Sequence, residues 1–432
     1  MDTGATLGTL DNSPSSSVAQ GMESLFNPAT DFSETGNFPA PTFIYFLNDS
    51  ALQTTDNFIL VDESGEGKLY SNGKIRLVEL SGSWTEMGRQ YGYLLSSEIK
   101  SLSSTVASLY VTNNVGSTSD FYSFAMASMQ LYPENYQQML AGVLQTSGAS
   151  YLDLAVDSNF FEYYVYAAGK PTNSCLSISA WGNYTGGNPL VVGRNFDFSP
   201  FYQALDPYLV VTVFNPDDGS VPTATISYTG QLGAISGLNK AGLTLENNDG
   251  GLSGDTGRYF LEREPILATS VSLLLNNETL GAINADMLAV KTPYPLIYNI
   301  AGPQRAYTYE TSTSQVIRRD SDPGGSEGLL VAANTYLDPS WPANTTIPPA
   351  YTANSTDRYN SAVSLANSFY GAINDRTMMA ILDTPIEQGG PTPYGDNDSI
   401  WQYAAIPQAH DIWIKASNYM NWSFVDLDKY FH

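Results

Sequence analysis

Residues 1 to about 40 carry only scattered apolar positions among Ser, Gly, Asn and Pro, and read as an arm or an extended wrap around a folded body. Two short apolar runs follow, at 43–47 and 58–61, each long enough for one added strand. From residue 75 the pattern is that of a packed domain. Ile75, Leu77, Val78 and Leu80 predict a strand that ends at Gly82. Ser83 with Glu86 three residues on is the signature of a capping box, and Met87, Tyr91, Leu94, Leu95 and Ile99 continue at helical spacing. Gly88 and Gly92 weaken that helix, so they predict close packing against a neighbour. Arg89 reads as a solvated helix charge, with a substrate contact as the alternative.

Helical spacing continues over 121–132, stops at Pro133, resumes at 135–145, and restarts at 151 into a strongly aromatic stretch at 160–166. That stretch reads as a helix packed on the core, with the lining of a pocket for an apolar or aromatic group as the alternative. After residue 174 the chain turns β. Strands are expected at 175–180, 190–193, 208–214, 223–228, 234–238, 243–248, 328–335, 399–405 and 411–416, with an apolar tail at 422–431. Helices are expected at 260–267, 271–275, 280–289 and 354–365, and a further apolar segment at 378–382.

The 432 residues include 42% hydrophobic and 12% aromatic ones, enough for a large core. The formal charge of −25, from 43 acids against 18 bases, makes nucleic acid and anionic membrane poor partners. No apolar run reaches transmembrane length, and no signal peptide is visible. Low lysine content and seven Asn-x-Ser/Thr sequons, at Asn48, Asn183, Asn277, Asn344, Asn354, Asn397 and Asn421, favour an extracytoplasmic or secreted protein.

One cysteine and two histidines narrow the chemistry. Cys175 opens the strand Cys175-Leu176-Ser177-Ile178-Ser179-Ala180, and a second strand ends in Gly193-Arg194-Asn195-Phe196-Asp197. A thiol, a cation and a carboxylate can therefore meet at the ends of two paired strands. The same residues also fit a buried core cysteine beside an ordinary Arg–Asp pair. A Cys–His device would need His410 or the last residue, His432, and neither has a serine or cysteine signature nearby. Too few His and Cys exist for a zinc site of the usual kind, so neither metal nor cofactor is expected. A thiol without a histidine needs another base, and one solution is its own α-amine, freed by cleavage before Cys175.

Cys-x-Ser followed by a strand ending Gly-Arg-Asn-x-Asp resembles the start of the catalytic chain in cysteine N-terminal-nucleophile hydrolases. Within that group the pattern is similar to the isopenicillin N acyltransferase and choloylglycine hydrolase families, including penicillin V acylase and acid ceramidase. The segment Val78-Glu79-Leu80-Ser81-Gly82-Ser83 through Met87-Gly88-Arg89-Gln90-Tyr91-Gly92 resembles the same group, as does Asn239-Lys240-Ala241-Gly242-Leu243 with its following Asn247 and Asn248. The strand ending in Asn334, Ser355-Thr356-Asp357-Arg358, Ile400-Trp401-Gln402 and Val425-Asp426-Leu427 extend the likeness to the end of the chain.

The resemblance implies an α+β fold, a four-layer αββα sandwich of two antiparallel sheets. It also implies an order of segments: residues 1–70 as an unassigned extension, 71–174 as a mainly helical segment, and 175–432 as the segment that begins at the nucleophile. The last two would form one domain. Self-cleavage would fall between Ser174 and Cys175. Cys175 would be the nucleophile, with Arg194 and Asp197 orienting and tuning it. Asn334 and either Asn247 or Asn248 would hold the oxyanion, and Arg358 would brace the site. Counting alternation from Leu243 and Leu245 puts Asn247 on their face and Asn248 on the other. The implied reaction is hydrolysis of the linear amide of a small N-acyl compound. Transfer to an amine, a phospholipase B-like ester cleavage and a secreted binding protein without activity are the alternatives.

Overall fold

The computed structural model describes residues 55–168, 175–322, 325–342, 347, 349–393 and 399–432. The run at 43–47, Ser174, and the sequons at Asn48, Asn344 and Asn397 lie outside the described residues.

Strands β1 (Ile59–Ser64), β2 (Gly67–Ser71) and β3 (Arg76–Gly82) form a meander, so the apolar run at 58–61 is an added strand as expected. Gly82 has φ +105°, a conformation that favours glycine, and turns the chain from strand into helix. The first helix, α1 (Trp84–Leu94), opens with the capping box: Ser83 Oγ accepts from the Glu86 N–H, and the Glu86 carboxylate accepts from the Ser83 N–H at 3.0 Å. Four more helices follow, α2 (Ser96–Thr112), α3 (Thr118–Ser128), α4 (Glu134–Thr146) and α5 (Tyr151–Ala168). α1 and α4 cross closely at glycines. A Cβ on Gly88 would lie 2.0 Å from the Met139 carbonyl oxygen, and one on Gly142 would lie 2.2 Å from that of Thr85. Arg89 is exposed and donates to Gln145 Oε1 at 2.8 Å, as a solvated helix charge does.

The chain then runs through β4 (Leu176–Ala180), β5 (Val191–Asp197), β6 (Leu209–Pro216), β7 (Thr223–Tyr228), β8 (Ser236–Asn239) and β9 (Thr244–Asp249). Helices α6 (Ile266–Leu275) and α7 (Leu280–Ala289) come next. Strands β10 (Leu296–Ala301), β11 (Ala306–Thr311), β12 (Val316–Arg319) and β13 (Leu329–Ala332) precede α8 (Pro349–Ser368) and α9 (Asp375–Asp383). The hairpins β14 (Ser399–Ile406), β15 (Asp411–Ala416) and β16 (Met420–Asp426) complete the fold.

Two expectations need correction. Residues 260–267 and 271–275 are not two helices: Pro265, which lacks an N–H, sits at the N-cap, and one helix runs from there to Leu275. Residues 296–319, unassigned by pattern, form three antiparallel strands, whose Tyr307 and Tyr309 alternate with Thr and Glu.

One sheet has ten strands in the order β1-β2-β3-β6-β7-β8-β9-β10-β11-β12, and the other has six in the order β13-β4-β5-β14-β15-β16. All pairs are antiparallel except β3 with β6. That parallel pair needs a long crossover, and the five helices with β4 and β5 supply it. The sheets face each other, with β4 against β9 and β10. α1 and α6 lie on the ten-stranded sheet, and α8 and α9 on the six-stranded one. The molecule is thus an α+β, four-layer αββα sandwich. Among the described residues no helix is long and apolar enough to cross a membrane.

The alternation of β4 sorts its side chains. Leu176, Ile178 and Ala180 join Leu365, Met378 and Ile381 of α8 and α9 in one apolar cluster. Ser177 and Ser179 face the other sheet, where they contact Asn248 and Asn299. By the same period Cys175, just before β4, belongs to the face between the sheets.

Candidate active site

Cys175 is 2% exposed and forms part of the wall of a narrow pocket with about 500 Å³ of empty space, mouth included. The pocket lies between α5, the first turn of α6 and the ends of β5 and β9, and its lining is mainly apolar, with Phe161, Phe196, Phe198 and Leu267 prominent. The thiol points at the main-chain oxygen of Asp197, 3.7 Å away. Burial pushes the thiol up from its ordinary pKa, and the nearby Arg194 guanidinium pulls in the opposite direction.

Arg194 comes from the middle of β5, opposite Ser177 in the β4–β5 register. It is fully buried, and neutral acceptors hold it. Nη1 donates to the Ile235 carbonyl at 2.6 Å and to Ser236 Oγ at 2.9 Å, and Nη2 donates to the Asn247 carbonyl at 2.5 Å. Nη2 also lies 3.6 Å from Cys175 Sγ. The guanidinium carbon sits 5.3 Å from the Phe196 ring centre and 5.6 Å from that of Trp401. Arg194 Nε is buried and has no hydrogen-bond partner among the described residues. A cation fixed this way, with no anion bonded to it among the described residues, favours negative charge developing on the sulfur or on an oxygen beside it.

Asp197 ends β5 on the opposite face. Its carboxylate accepts from Ser399 Oγ and lies 3.7 Å from Arg358 Nη1. Arg358, 1% exposed on α8, donates to three oxygens: Asn354 Oδ1 at 2.9 Å, the Cys175 carbonyl at 3.0 Å and Asn334 Oδ1 at 2.8 Å. Burial lowers its pKa, while Asp197 and Cys175 hold it up. Asn334 follows β13. Arg358 fixes its amide oxygen, Ser355 Oγ accepts its backbone N–H at 3.0 Å, and its Nδ2 donates to the Asp249 carbonyl at 2.8 Å.

Asn247 and Asn248 face opposite sides of β9, as alternation predicts. Asn247 lines the pocket, and its amide donates to Ser270 Oγ at 3.0 Å and to the Ala234 carbonyl at 3.2 Å. Asn248 turns to the six-stranded sheet, donating to the Ala332 carbonyl at 3.0 Å and accepting from Ser177 Oγ. Cys175, Arg194, Asp197, Asn334 and Arg358 thus form one connected cluster, which Asn247 joins through its carbonyl and Asn248 flanks. Both histidines are engaged elsewhere, His410 with Asp428 and His432 with Glu79, each at 2.6 Å.

Three residues of the site have weak sequence signals. Asp249 lines the pocket and accepts from the Tyr294 hydroxyl at 2.8 Å and the Gly251 N–H at 2.6 Å. Its signal is only its place after two asparagines. Glu162, the one acid in the aromatic run at 160–166, also lines the pocket. Ser399 carries no signal except its place at the head of an apolar strand.

No family model and no curated protein matches the sequence. Several solved structures are similar to the chain. One is an N-acylethanolamine-hydrolyzing acid amidase ortholog from Caenorhabditis elegans, with 14% identity over 59% of this chain and 100% of that one, at a TM-score of 0.42. Another is a mutant of conjugated bile acid hydrolase from Clostridium perfringens, with 10% identity over 59% and 93% and a TM-score of 0.41. A third is penicillin V acylase from Agrobacterium tumefaciens, with 14% identity over 59% and 87% and a TM-score of 0.39.

Proposed function

We propose that this protein hydrolyses the linear amide bond of a small N-acyl compound, using the thiolate of Cys175 after self-cleavage between Ser174 and Cys175. The observation that carries this reading is the position of Cys175 Sγ: in the wall of an apolar pocket, 3.6 Å from a buried arginine held by neutral acceptors. Burial disfavours the free thiolate, so the sulfur needs a base, and no histidine is available to serve. The α-amine of Cys175, with an ordinary pKa of roughly 7.7–8.0, is the base that cleavage would supply.

In the intact chain the thiol adds to the Ser174 carbonyl carbon and the bond to the Cys175 nitrogen breaks. The acyl group moves to sulfur as a thioester, and the nitrogen takes up the thiol proton to become an amine. Water then hydrolyses the thioester, leaving a carboxylate on Ser174 and a thiol on Cys175. In turnover the amine takes the thiol proton, sulfur attacks the substrate carbonyl, and the proton passes to the departing amine. Water releases the acid from the second thioester.

Arg194 favours negative charge near sulfur, and the Asp197–Arg358 pair holds the backbone of Cys175. Asn334 and Asn247 would stabilise the oxyanion; Asn247 is preferred over Asn248 because it lines the pocket. We also infer an extracytoplasmic protein, in which the exposed Asn183 and Asn421 are open to glycosylation and the buried Asn277 is not. Denaturing intact mass spectrometry tests the cleavage: pieces of about 19 and 28 kDa, in proportion to their residue counts, with the larger beginning at Cys175, are expected. A single chain of 46.8 kDa in a preparation that hydrolyses amides would refute it.

A further inference from the structure

Glu162 is 2% exposed, yet it lines the pocket that holds Cys175. One carboxyl oxygen, Oε1, accepts from the Ile266 N–H at the start of α6, at 2.6 Å. The Leu267 N–H of the same helix turn also acts on the carboxyl. The other oxygen, Oε2, is buried and makes no hydrogen bond of good geometry among the described residues. Burying the second without a partner is costly unless something else satisfies it. A carboxyl that accepts through Oε1 and is protonated carries its proton on Oε2, so the unpartnered atom is a donor.

We propose that Glu162 is a specificity-determining residue of the acyl pocket, donating a hydrogen bond from Oε2 to a neutral acceptor oxygen on the acyl chain of the substrate. The proposal deepens the amidase reading and rests on it for the word acyl. The preferred acyl group is then an oxygenated chain, with a keto, ether or hydroxyl oxygen part-way along, and not a plain hydrocarbon. An ammonium group fits less well. It would have to lose its own hydration in an apolar pocket and ionise the carboxyl as well.

Burial pushes the Glu162 carboxyl up to about 8, so it keeps its proton at neutral pH. The Ile266 and Leu267 N–H groups at the start of α6 pull the other way, and the remaining groups near it are Glu264, ahead of α6, Tyr132 and Tyr136 from the α3–α4 connection and α4, and Tyr298 on β10. Burial raises all three tyrosines, so they stay neutral where Glu162 titrates, and it raises Glu264 as well. Cys175, Arg194 and Asp249 line the same pocket.

The test measures binding separately from turnover. Octanoic acid and the set of keto-octanoic acids, which the protein cannot hydrolyse, are titrated calorimetrically into wild type, Glu162→Gln and Glu162→Met. Titrations run near pH 6 and near pH 9, on either side of the Glu162 transition. At least one keto isomer is expected to bind wild type roughly 10-fold tighter than octanoic acid near pH 6, the size of one buried neutral hydrogen bond. That preference should vanish near pH 9, persist there in Glu162→Gln, whose amide remains a donor, and be absent at both pH values in Glu162→Met. Equal binding of all the acids by wild type, an unchanged preference in Glu162→Met, or no binding at all overturns the proposal. The wild-type pH comparison needs no variant, so a poorly folding substitution leaves the test intact. The matching octanoyl amides are assayed in parallel. Absence of amide hydrolysis with the acid preference intact would refute the amidase reading and leave this proposal standing.

Discussion

Arg358 and Cys175 are 183 positions apart and joined by one hydrogen bond, from Arg358 Nη1 to the Cys175 carbonyl at 3.0 Å. The same guanidinium holds Asn334 Oδ1 at 2.8 Å and lies beside the Asp197 carboxylate. It therefore sets the distance between the proposed nucleophile and a proposed oxyanion donor. Arg358→Lys keeps a positive charge but loses the planar fork. We expect it to fold and to lose about 10²-fold in kcat, the scale of a misplaced catalytic group. Arg358→Ala breaks the buried ion pair with Asp197 and removes the donor to the Cys175 carbonyl and Asn334 Oδ1, and should cost about 3–5 kcal/mol of stability. Urea unfolding of both variants, set beside their kcat values, separates the two effects.

Cys175→Ala is expected to remain a single 46.8 kDa chain and to show no turnover. Cys175→Ser is the finer probe. Its weaker nucleophile should slow cleavage enough for both intact and cut chains to appear together. The readout is the ratio of chains by mass spectrometry over days. Amide turnover by a purified alanine variant would remove Cys175 from the chemistry.

Asn334→Ala should cost roughly 10²–10³ in kcat and little in KM, because its amide is assigned to charge that exists only in the transition state. Asn334 also fixes Arg358, so part of the loss comes through that residue. Asn247→Ala is expected to act in the same direction. Asn248→Ala should act mainly on stability, since its amide bonds join the two sheets and do not face the pocket. An Asn248→Ala variant with a larger kcat defect than Asn247→Ala would reverse that assignment.

What was readable in the sequence is what local rules govern. The serine–apolar alternation after Cys175 determines which residues face α8 and α9 and which face the other sheet. Ser83 and Glu86 announce the start of α1 through a contact three residues long. The start of the helix at 266–275 is not legible in its apolar periodicity, which extends past Pro265, whose backbone chemistry outweighs it. Strands β10 to β12 are not legible in the sequence because their partners are one another and β9, and a strand's neighbours are not encoded in its own pattern. The resemblance named Arg358, but its reach to the Cys175 carbonyl depends on α8 packing over β4, a long-range event. Glu162 was hidden because a lone acid in an aromatic run looks like the polar edge of a core helix. Only burial together with an unpartnered oxygen marks it out.

Buried carboxyls give the fold a pH dependence of its own. Burial raises Glu246 to about 7, between the sheets, and Asp206 to about 8. The ordinary values in an unfolded chain are roughly 4. An acid whose folded pKa is raised stabilises the fold fully below its unfolded value, and that stability is lost as pH climbs through the folded value. The melting temperature should therefore rise as pH is lowered from about 8 to about 5, which is opposite to the usual effect of salt-bridged carboxylates. Lower pH also relieves the self-repulsion of a chain with net charge −25, so the trend alone does not identify the groups. Glu246→Gln does. It keeps the shape and leaves one oxygen to accept from Asn299 Nδ2, as Glu246 Oε2 does at 2.9 Å, but it removes the titration. The variant should melt higher than wild type at about pH 8 and match it at about pH 5, flattening the profile. Equal melting temperatures for the two proteins across the range would mean that Glu246 titrates as it would in water.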